Sequence, residues 1–166
     1  MKNILFKFDV DSGSLAGTGH FFRCLKIYNI LKKKYNNKLN YYFLFKNNKN
    51  SKNIVRKYIN KNIIIYNNKF KNKISFLRKN DLVINDTPKK IDLKFLKYCK
   101  THPIKNLLLI DHDKIYFPYK YYLINGIFYF KKKLKKEKNI FQGFKYIFLD
   151  KQFLFVKKKK INNSKF

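Results

Sequence analysis

Short apolar runs alternate with longer amphipathic stretches along the chain. The apolar runs are short enough to predict strands. These predicted strands cover residues 3–8, 40–46, 62–66, 81–86, 106–111, 121–125 and 146–149. Between them, apolar residues recur at three- and four-residue steps, the spacing of one helix face. This spacing predicts helices over residues 20–35, 51–60, 73–79 and 91–100.

Near-continuous apolar strands that alternate with helices are typical of a mostly parallel sheet covered on both faces. The pattern therefore predicts a doubly wound, Rossmann-like α/β fold. A chain of 166 residues is long enough for one domain with a substantial core. We assign residues 1–156 to this domain. Residues 157–166 are lysine-rich and lack periodicity, so we expect a flexible tail there.

The net charge of +31, from 40 Lys and Arg against 9 Asp and Glu, has two interpretations. A polyanionic partner would select for such a charge. Mutation bias in an A- and T-rich genome would also produce it, because Lys, Asn, Ile, Phe and Tyr are enriched together. The basic residues are dispersed along the chain rather than concentrated on one element, which favours mutation bias. We therefore do not expect nucleic acid as the partner.

The two cysteines, Cys24 and Cys99, are far apart and have no CxxC spacing. They read as small buried hydrophobic residues, and we expect neither a metal nor a cofactor. The N-terminus lacks the pattern of a signal peptide, and no stretch approaches the roughly 20 apolar residues of a membrane helix. We expect a cytoplasmic protein without membrane insertion.

Several of the few acidic residues fall where predicted strands end. Asp9 and Asp11 follow the first strand, Asp86 ends the fourth, and Asp111 ends the fifth with Asp113 just beyond. In a doubly wound sheet the carboxyl ends of the strands form the ligand crevice. We therefore expect these carboxylates to converge on one edge of the sheet. Aspartate is also a common helix cap and turn residue, so a structural role is the alternative.

The segment "FDVDSGSLAGTGHFFR", residues 8–23, runs from the end of the first predicted strand into a glycine-rich loop at this edge. Gly13, Gly17 and Gly19 permit positive φ and a close approach of a ligand. The positive end of the following helix disfavours the imidazolium of His20, so the ring is available as a general base. Arg23 would hold an anionic group or orient a carboxylate. The loop matches neither the dinucleotide fingerprint nor a Walker loop.

These residues resemble the opening of the PseG family, the UDP-sugar hydrolases of pseudaminic acid biosynthesis, and of the related SpsG-type proteins. Those enzymes begin with a strand, a basic residue and Asp, followed by a loop ending in GxGHxxR and a leucine-rich helix. The counterparts in this chain are Lys7, Asp9, Gly17, Gly19, His20 and Arg23. Residues 81–92, 107–113, 123–125 and 143–153 resemble later segments of the family's N-terminal domain.

The chain departs from the family pattern at several positions. Lys7 stands where arginine is usual, Thr87-Pro88 replaces a polar residue and tyrosine, His112 replaces a second aspartate, and Asp150 occupies a usual arginine position. The GTGH loop itself is intact.

The resemblance implies the N-terminal half of a GT-B architecture. Its nucleotide-sugar substrate would be a UDP-linked acetamido trideoxy-hexose, and a separately encoded C-terminal domain would bind the nucleotide. His20 would activate water for attack at the anomeric carbon. The substrate-binding residues would be Asp9, Asp11, Gly17, Gly19, Arg23, Asp86, Asp111 and Asn125. The alternative is a non-catalytic or degenerate basic α/β module that binds a polyanion.

Overall fold

The computed structural model describes residues 1–10, 18–47, 50–67, 69–87, 93–102, 104, 106–111, 121–126 and 139–143. Within these residues the chain forms seven strands and three α-helices. The strands are β1 (Lys2–Phe8), β2 (Leu39–Lys46), β3 (Ile63–Tyr66), β4 (Leu82–Asp86), β5 (Asn106–Ile110), β6 (Tyr122–Asn125) and β7 (Ile140–Gln142). The helices are α1 (Gly19–Tyr35), α2 (Ser51–Arg56) and α3 (Leu93–Thr101).

All seven strands pair in parallel in a single sheet of order β3-β2-β1-β4-β5-β6-β7. The chain runs outward from β1 to β3 and then returns to β4, on the other side of β1. The direction of winding therefore reverses between β1 and β4, which is where sheets of this kind bind ligands. The prediction of a doubly wound, Rossmann-like α/β fold is confirmed.

Successive residues of the central strands point to opposite faces of the sheet, and both faces are buried. On one face, Phe6 and Phe8 pack with Phe21 and Cys24 of α1 and with Val55 of α2. On the other face, the core is built around α3. Its members include Leu5, Val83, Phe95, Leu96, Cys99 and Leu109. Helices therefore cover both sides of the sheet, and α1 and α2 share one side.

Stacked aromatic pairs fix the register beneath α1. Phe6 and Phe43 are register partners in β1 and β2, and their ring centroids lie 5.3 Å apart with the planes 10° from parallel. Phe8 and Phe45 stack at 5.6 Å one step further along the same strands. Such pairs stabilise a sheet beyond their buried area alone. They hold the ends of β1 and β2 in place immediately below the start of α1.

Two predicted helices differ from the structure. The helix over residues 73–79 is wrong: the chain makes a 3-10 turn at Lys71–Lys73 and further turns, closed by Ile74 N–H to Lys71 and Leu77 N–H to Ile74. Apolar residues three apart suit such turns as well as a helix. Helix α2 ends at Arg56, four residues before the predicted end at residue 60, and the amide of Tyr58 then donates only three residues back, to Val55.

The seventh strand was predicted at residues 146–149, which lie outside the described residues, as does the tail 157–166. The seventh strand that the structure describes is β7, Ile140–Gln142. It was missed because three residues after a lysine-rich block carry too short an apolar pattern to indicate a strand.

Candidate functional site

Polar residues end four neighbouring strands at the same edge of the sheet. Phe8 is the register partner of Asp86, so Asp9 lies one position beyond the last paired residue of β1. Asp111 follows Ile110, whose register partner in β6 is Ile124, and Asn125 is the next residue of β6. This edge is the carboxyl end of the parallel strands, as the sequence predicted. Helix α1 begins above it at Gly19.

His20 is oriented by a buried carboxylate. Its Nδ1 lies 2.7 Å from Oδ1 of Asp86, whose side chain is fully buried. An ionised carboxylate only accepts hydrogen bonds, so Nδ1 carries the proton and donates it. The Nη2 of Arg23 is 3.3 Å from the same Nδ1, and because both atoms are donors this contact is not a hydrogen bond. In the neutral ring Nε2 is therefore the acceptor.

No hydrogen bond to Nε2 of His20 is found among the residues that the structure describes. The side chain of His20 is 19% exposed, so the ring is accessible at the edge of the sheet. A neutral imidazole with Nδ1 fixed by a carboxylate and Nε2 open is the arrangement of a general base. The carboxylate of Asp86 thus fixes the orientation and the tautomer of the ring at the start of α1.

Arg23 clamps both carboxylates of the site. Its Nε donates to Oδ2 of Asp86 at 2.6 Å, and its Nη2 donates to Oδ1 at 2.6 Å, a bidentate pair. Its Nη1 donates to Oδ2 of Asp111. Burial by itself lowers the pKa of Arg23, but the hydrogen bond and charge of Asp86, with those of Asp111, raise it above its ordinary value. In the structure Arg23 orients these carboxylates, which is one of the two roles that the sequence suggests for it.

Asp111 joins the cluster of His20, Arg23 and Asp86 because its backbone conformation is unusual. Strand alternation alone would place it on the face of Leu107 and Leu109, opposite α1. Its φ of 51° is left-handed, a conformation that Asp tolerates better than most residues, and this breaks the alternation. Its other oxygen, Oδ1, accepts the Gly126 amide at 3.0 Å. Asp111 therefore ties α1 to the end of β6.

The positive charge of Arg23 is already offset by two carboxylates. Asp86 and Asp111 carry two negative charges and Arg23 one positive charge, so the net charge is −1 while His20 is neutral and zero once it is protonated. Unpaired charge is costly at low exposure. The arrangement is therefore poorly suited to hold an anion at Arg23.

The remaining predicted residues contribute less directly. Asp9 is partly buried, and among the described residues no hydrogen bond joins it to the cluster. Asn125 is buried, and its backbone carbonyl accepts the Gly143 amide at 3.0 Å. Asp11, Gly13, Gly17, His112 and Asp113 lie outside the described residues.

Gly19 is the first residue of α1, and its φ is not left-handed. The positive φ for which the sequence suggested glycine is therefore not observed at this position. A Cβ built there would meet no atom within 4 Å. The first-turn amides of a helix lack intrahelical partners, and Thr18 provides no side-chain cap. The space beside Gly19 at the start of α1 is therefore open among the described residues.

A buried lysine lies near this edge on the opposite face of the sheet, the face that packs against α3. Lys7 is 2% exposed, and its Nζ lies 5.0 Å from the centre of the Phe95 ring. Its register partner Asn85 is also buried. In the sequence analysis, Lys7 was singled out only through the resemblance to PseG, and its burial was not predicted. The signal for its burial was a lone lysine within the apolar run of β1.

Cys24 is not a nucleophile of this site. Burial raises the pKa of its thiol well above the ordinary value, the charge of Asp86 adds to the rise, and Arg23 opposes it. Both cysteines are buried and unbonded, as predicted. Within the described residues, no group of three His, Cys, Asp or Glu side chains could hold a metal ion.

Comparison with protein-family models, curated proteins and solved structures finds no significant match. No family is shown. The doubly wound fold rests on the topology of this chain, and the resemblance to PseG remains a prediction. No helix in the described part of the chain is long and apolar enough to cross a membrane.

Proposed function

We propose that this chain is the N-terminal half of a nucleotide-sugar hydrolase of the PseG type. The observation that carries the proposal is the 2.7 Å contact between His20 Nδ1 and Asp86 Oδ1, which leaves Nε2 as a proton acceptor at the carboxyl edge of the sheet. The open backbone at Gly19 supports the close approach of a substrate there.

The proposed reaction is hydrolysis at the anomeric carbon of a UDP-linked acetamido trideoxy-hexose. Water attacks this carbon while its proton moves to Nε2 of His20, and the bond from the carbon to the phosphate oxygen breaks. The products are the free sugar and UDP. Asp86 stabilises the imidazolium, and Arg23 holds Asp86 so that its carboxylate keeps facing the ring.

A second domain completes the proposed enzyme. The cluster has a net charge of −1 while His20 is neutral, and its arginine is engaged by two carboxylates, so it is poorly suited to hold a diphosphate by itself. We propose that a separately encoded C-terminal domain binds the nucleotide, in the cytoplasm, within surface-glycan biosynthesis. Without that domain neither the leaving group nor the sugar is fixed near His20, so the chain alone should be nearly inactive.

The test is co-expression of the chain with the product of the reading frame immediately downstream, followed by measurement of UDP release. His20→Ala should lower the rate roughly 10²- to 10⁴-fold, the usual contribution of a positioned general base, while substrate binding survives. His102→Ala is the matched control. His102 follows α3 at the opposite edge of the sheet, where it stacks on Tyr98 at 3.6 Å.

Two results would contradict the proposal. A downstream product without a nucleotide-binding domain would favour the degenerate polyanion-binding module. Equal turnover with alanine at position 20 would show that the GTGH segment is a structural turn.

A further inference from the structure

All nine acidic residues lie outside one long segment of the chain. Between Asp11 and Asp81 there are 69 residues with 17 Lys and Arg and no Asp or Glu. We call residues 12–80 the acid-free segment. It supplies α1, β2, α2 and β3, so its strands form one edge of the sheet. The described elements on this side of β1 therefore carry lysine and arginine but no acidic residue.

The acid-free segment also carries most of the exposed large apolar side chains among the described residues. Phe22 is 42% exposed, Ile30 55%, Tyr35 39% and Tyr58 53%, and the others are Met1 and Tyr122. The Phe22 and Tyr58 rings pack edge to face at 5.3 Å, so α1 and the turn after α2 present one surface.

The outer face of α1 mixes these apolar side chains with lysines. Phe22, Ile30 and Lys33 lie exposed on one helix face; Lys26 falls between Phe22 and Ile30 at four-residue steps, but its Nζ is buried. Phe22 and Ile30 are eight residues apart, about 12 Å along the helix axis. The opposite face, with Phe21, Cys24 and Ile27, is buried against the sheet. Helix α1 is therefore basic and apolar on its solvent side, without acidic residues.

We propose that this surface, formed by Phe22, Ile30, Lys33 and Tyr58, docks on a bilayer that contains anionic lipids. Lysines near an anionic bilayer bind its headgroups, and protruding apolar side chains enter the boundary between headgroups and acyl chains. Aromatic side chains would also suit nucleic acid, on which they stack. Ile30 decides between the two, because an aliphatic side chain cannot stack on bases but gains from hydrocarbon. The inference does not depend on the proposed hydrolase function.

The absence of tryptophan from the sequence permits a direct test with the full chain. Ile30→Trp places a single tryptophan on the proposed surface, and Tyr122→Trp places one at an exposed position of β6 as the control. Vesicles of phosphatidylcholine with phosphatidylglycerol should shift the emission at position 30 to shorter wavelength, and brominated acyl chains should quench it. Neither change should occur at position 122 or with phosphatidylcholine alone.

Charge reversal tests the electrostatic part. Lys33→Glu should weaken vesicle binding roughly tenfold, because it replaces an attraction to anionic lipid with a repulsion. Lys97→Glu makes the same change on α3, across the sheet, and should leave binding almost unchanged. Lys33 is a suitable choice because its neighbours Lys32 and Lys34, unlike Lys33, lie over tyrosine rings.

Three outcomes would overturn the proposal. They are no binding to anionic vesicles, equal losses from Lys33→Glu and Lys97→Glu, or emission at position 30 that responds to duplex DNA at physiological salt and not to vesicles. The last would identify nucleic acid as the partner.

Discussion

Replacing Asp86 by asparagine perturbs the site most informatively, because it keeps the shape of the side chain and removes its charge. Oδ1 of Asp86 accepts from His20 and Arg23, and Oδ2 accepts from Arg23. An amide offers one oxygen only, and its nitrogen donates. In one orientation the amide nitrogen faces Nε of Arg23, donor against donor. In the other it faces Nη2 of Arg23, again donor against donor, and also Nδ1 of His20, which must then lose its proton to Nε2.

The size of the effect follows from burial. Asp86 is fully buried, and removing one partner of a buried ion pair costs about 3–5 kcal/mol. Arg23 keeps Asp111 and is 21% exposed, so we expect about 3 kcal/mol, the lower end of that range. Turnover should fall roughly 10²- to 10⁴-fold, because the variant lacks the carboxylate that orients His20 and stabilises the imidazolium during proton transfer.

Asp81→Asn is the matched control. Asp81 is also buried, but it lies at the opposite edge of the sheet, where it accepts the Asn3 amide at 2.8 Å and the Arg78 amide at 2.7 Å. This variant should be less stable, but the turnover per folded molecule should be unchanged. Chemical denaturation and UDP release, measured on both variants, separate the two effects. If Asp86→Asn and Asp81→Asn lower turnover equally, Asp86 has no role beyond stability and the reasoning fails.

Two further variants test the clamp and the open backbone. Arg23→Lys provides a single point charge, which cannot bind Asp86 through two parallel hydrogen bonds and also reach Asp111. Turnover should therefore fall at least about tenfold. Unchanged turnover would show that the planar guanidinium is dispensable. Gly19→Ala should leave the melting temperature unchanged or slightly raised, because a Cβ meets nothing and alanine favours helix. Its KM should rise if substrate approaches this backbone, and an unchanged KM would remove Gly19 from the site.

The fold was predictable from sequence where burial dominates. Strands β1, β2, β4 and β5 are apolar on both faces, which only a covered parallel sheet explains. Residues 73–79 were not predictable in the same way, since their apolar spacing suits both a helix and successive turns. Strand β7 is too short to carry a periodic signal.

Parallel topology also made the site partly predictable. It brings strand ends to one edge, so Asp86 and Asp111 could be placed near His20 from their positions alone. The sequence could not show that Arg23 binds both carboxylates, or that a left-handed φ at Asp111 turns this side chain toward α1. Those features depend on local backbone geometry, to which the apolar pattern is insensitive.

The most direct test of the central claim is the protonation of the two ring nitrogens of His20, read from their ¹⁵N resonances by nuclear magnetic resonance. The signals are assigned by their loss in His20→Ala. The account predicts that neutral His20 carries its proton on Nδ1, facing Asp86, with Nε2 unprotonated, and that Asp86→Asn disturbs this state while the His102 resonances stay unchanged. A neutral His20 protonated on Nε2 in the wild-type chain would contradict the assignment of this residue as a general base.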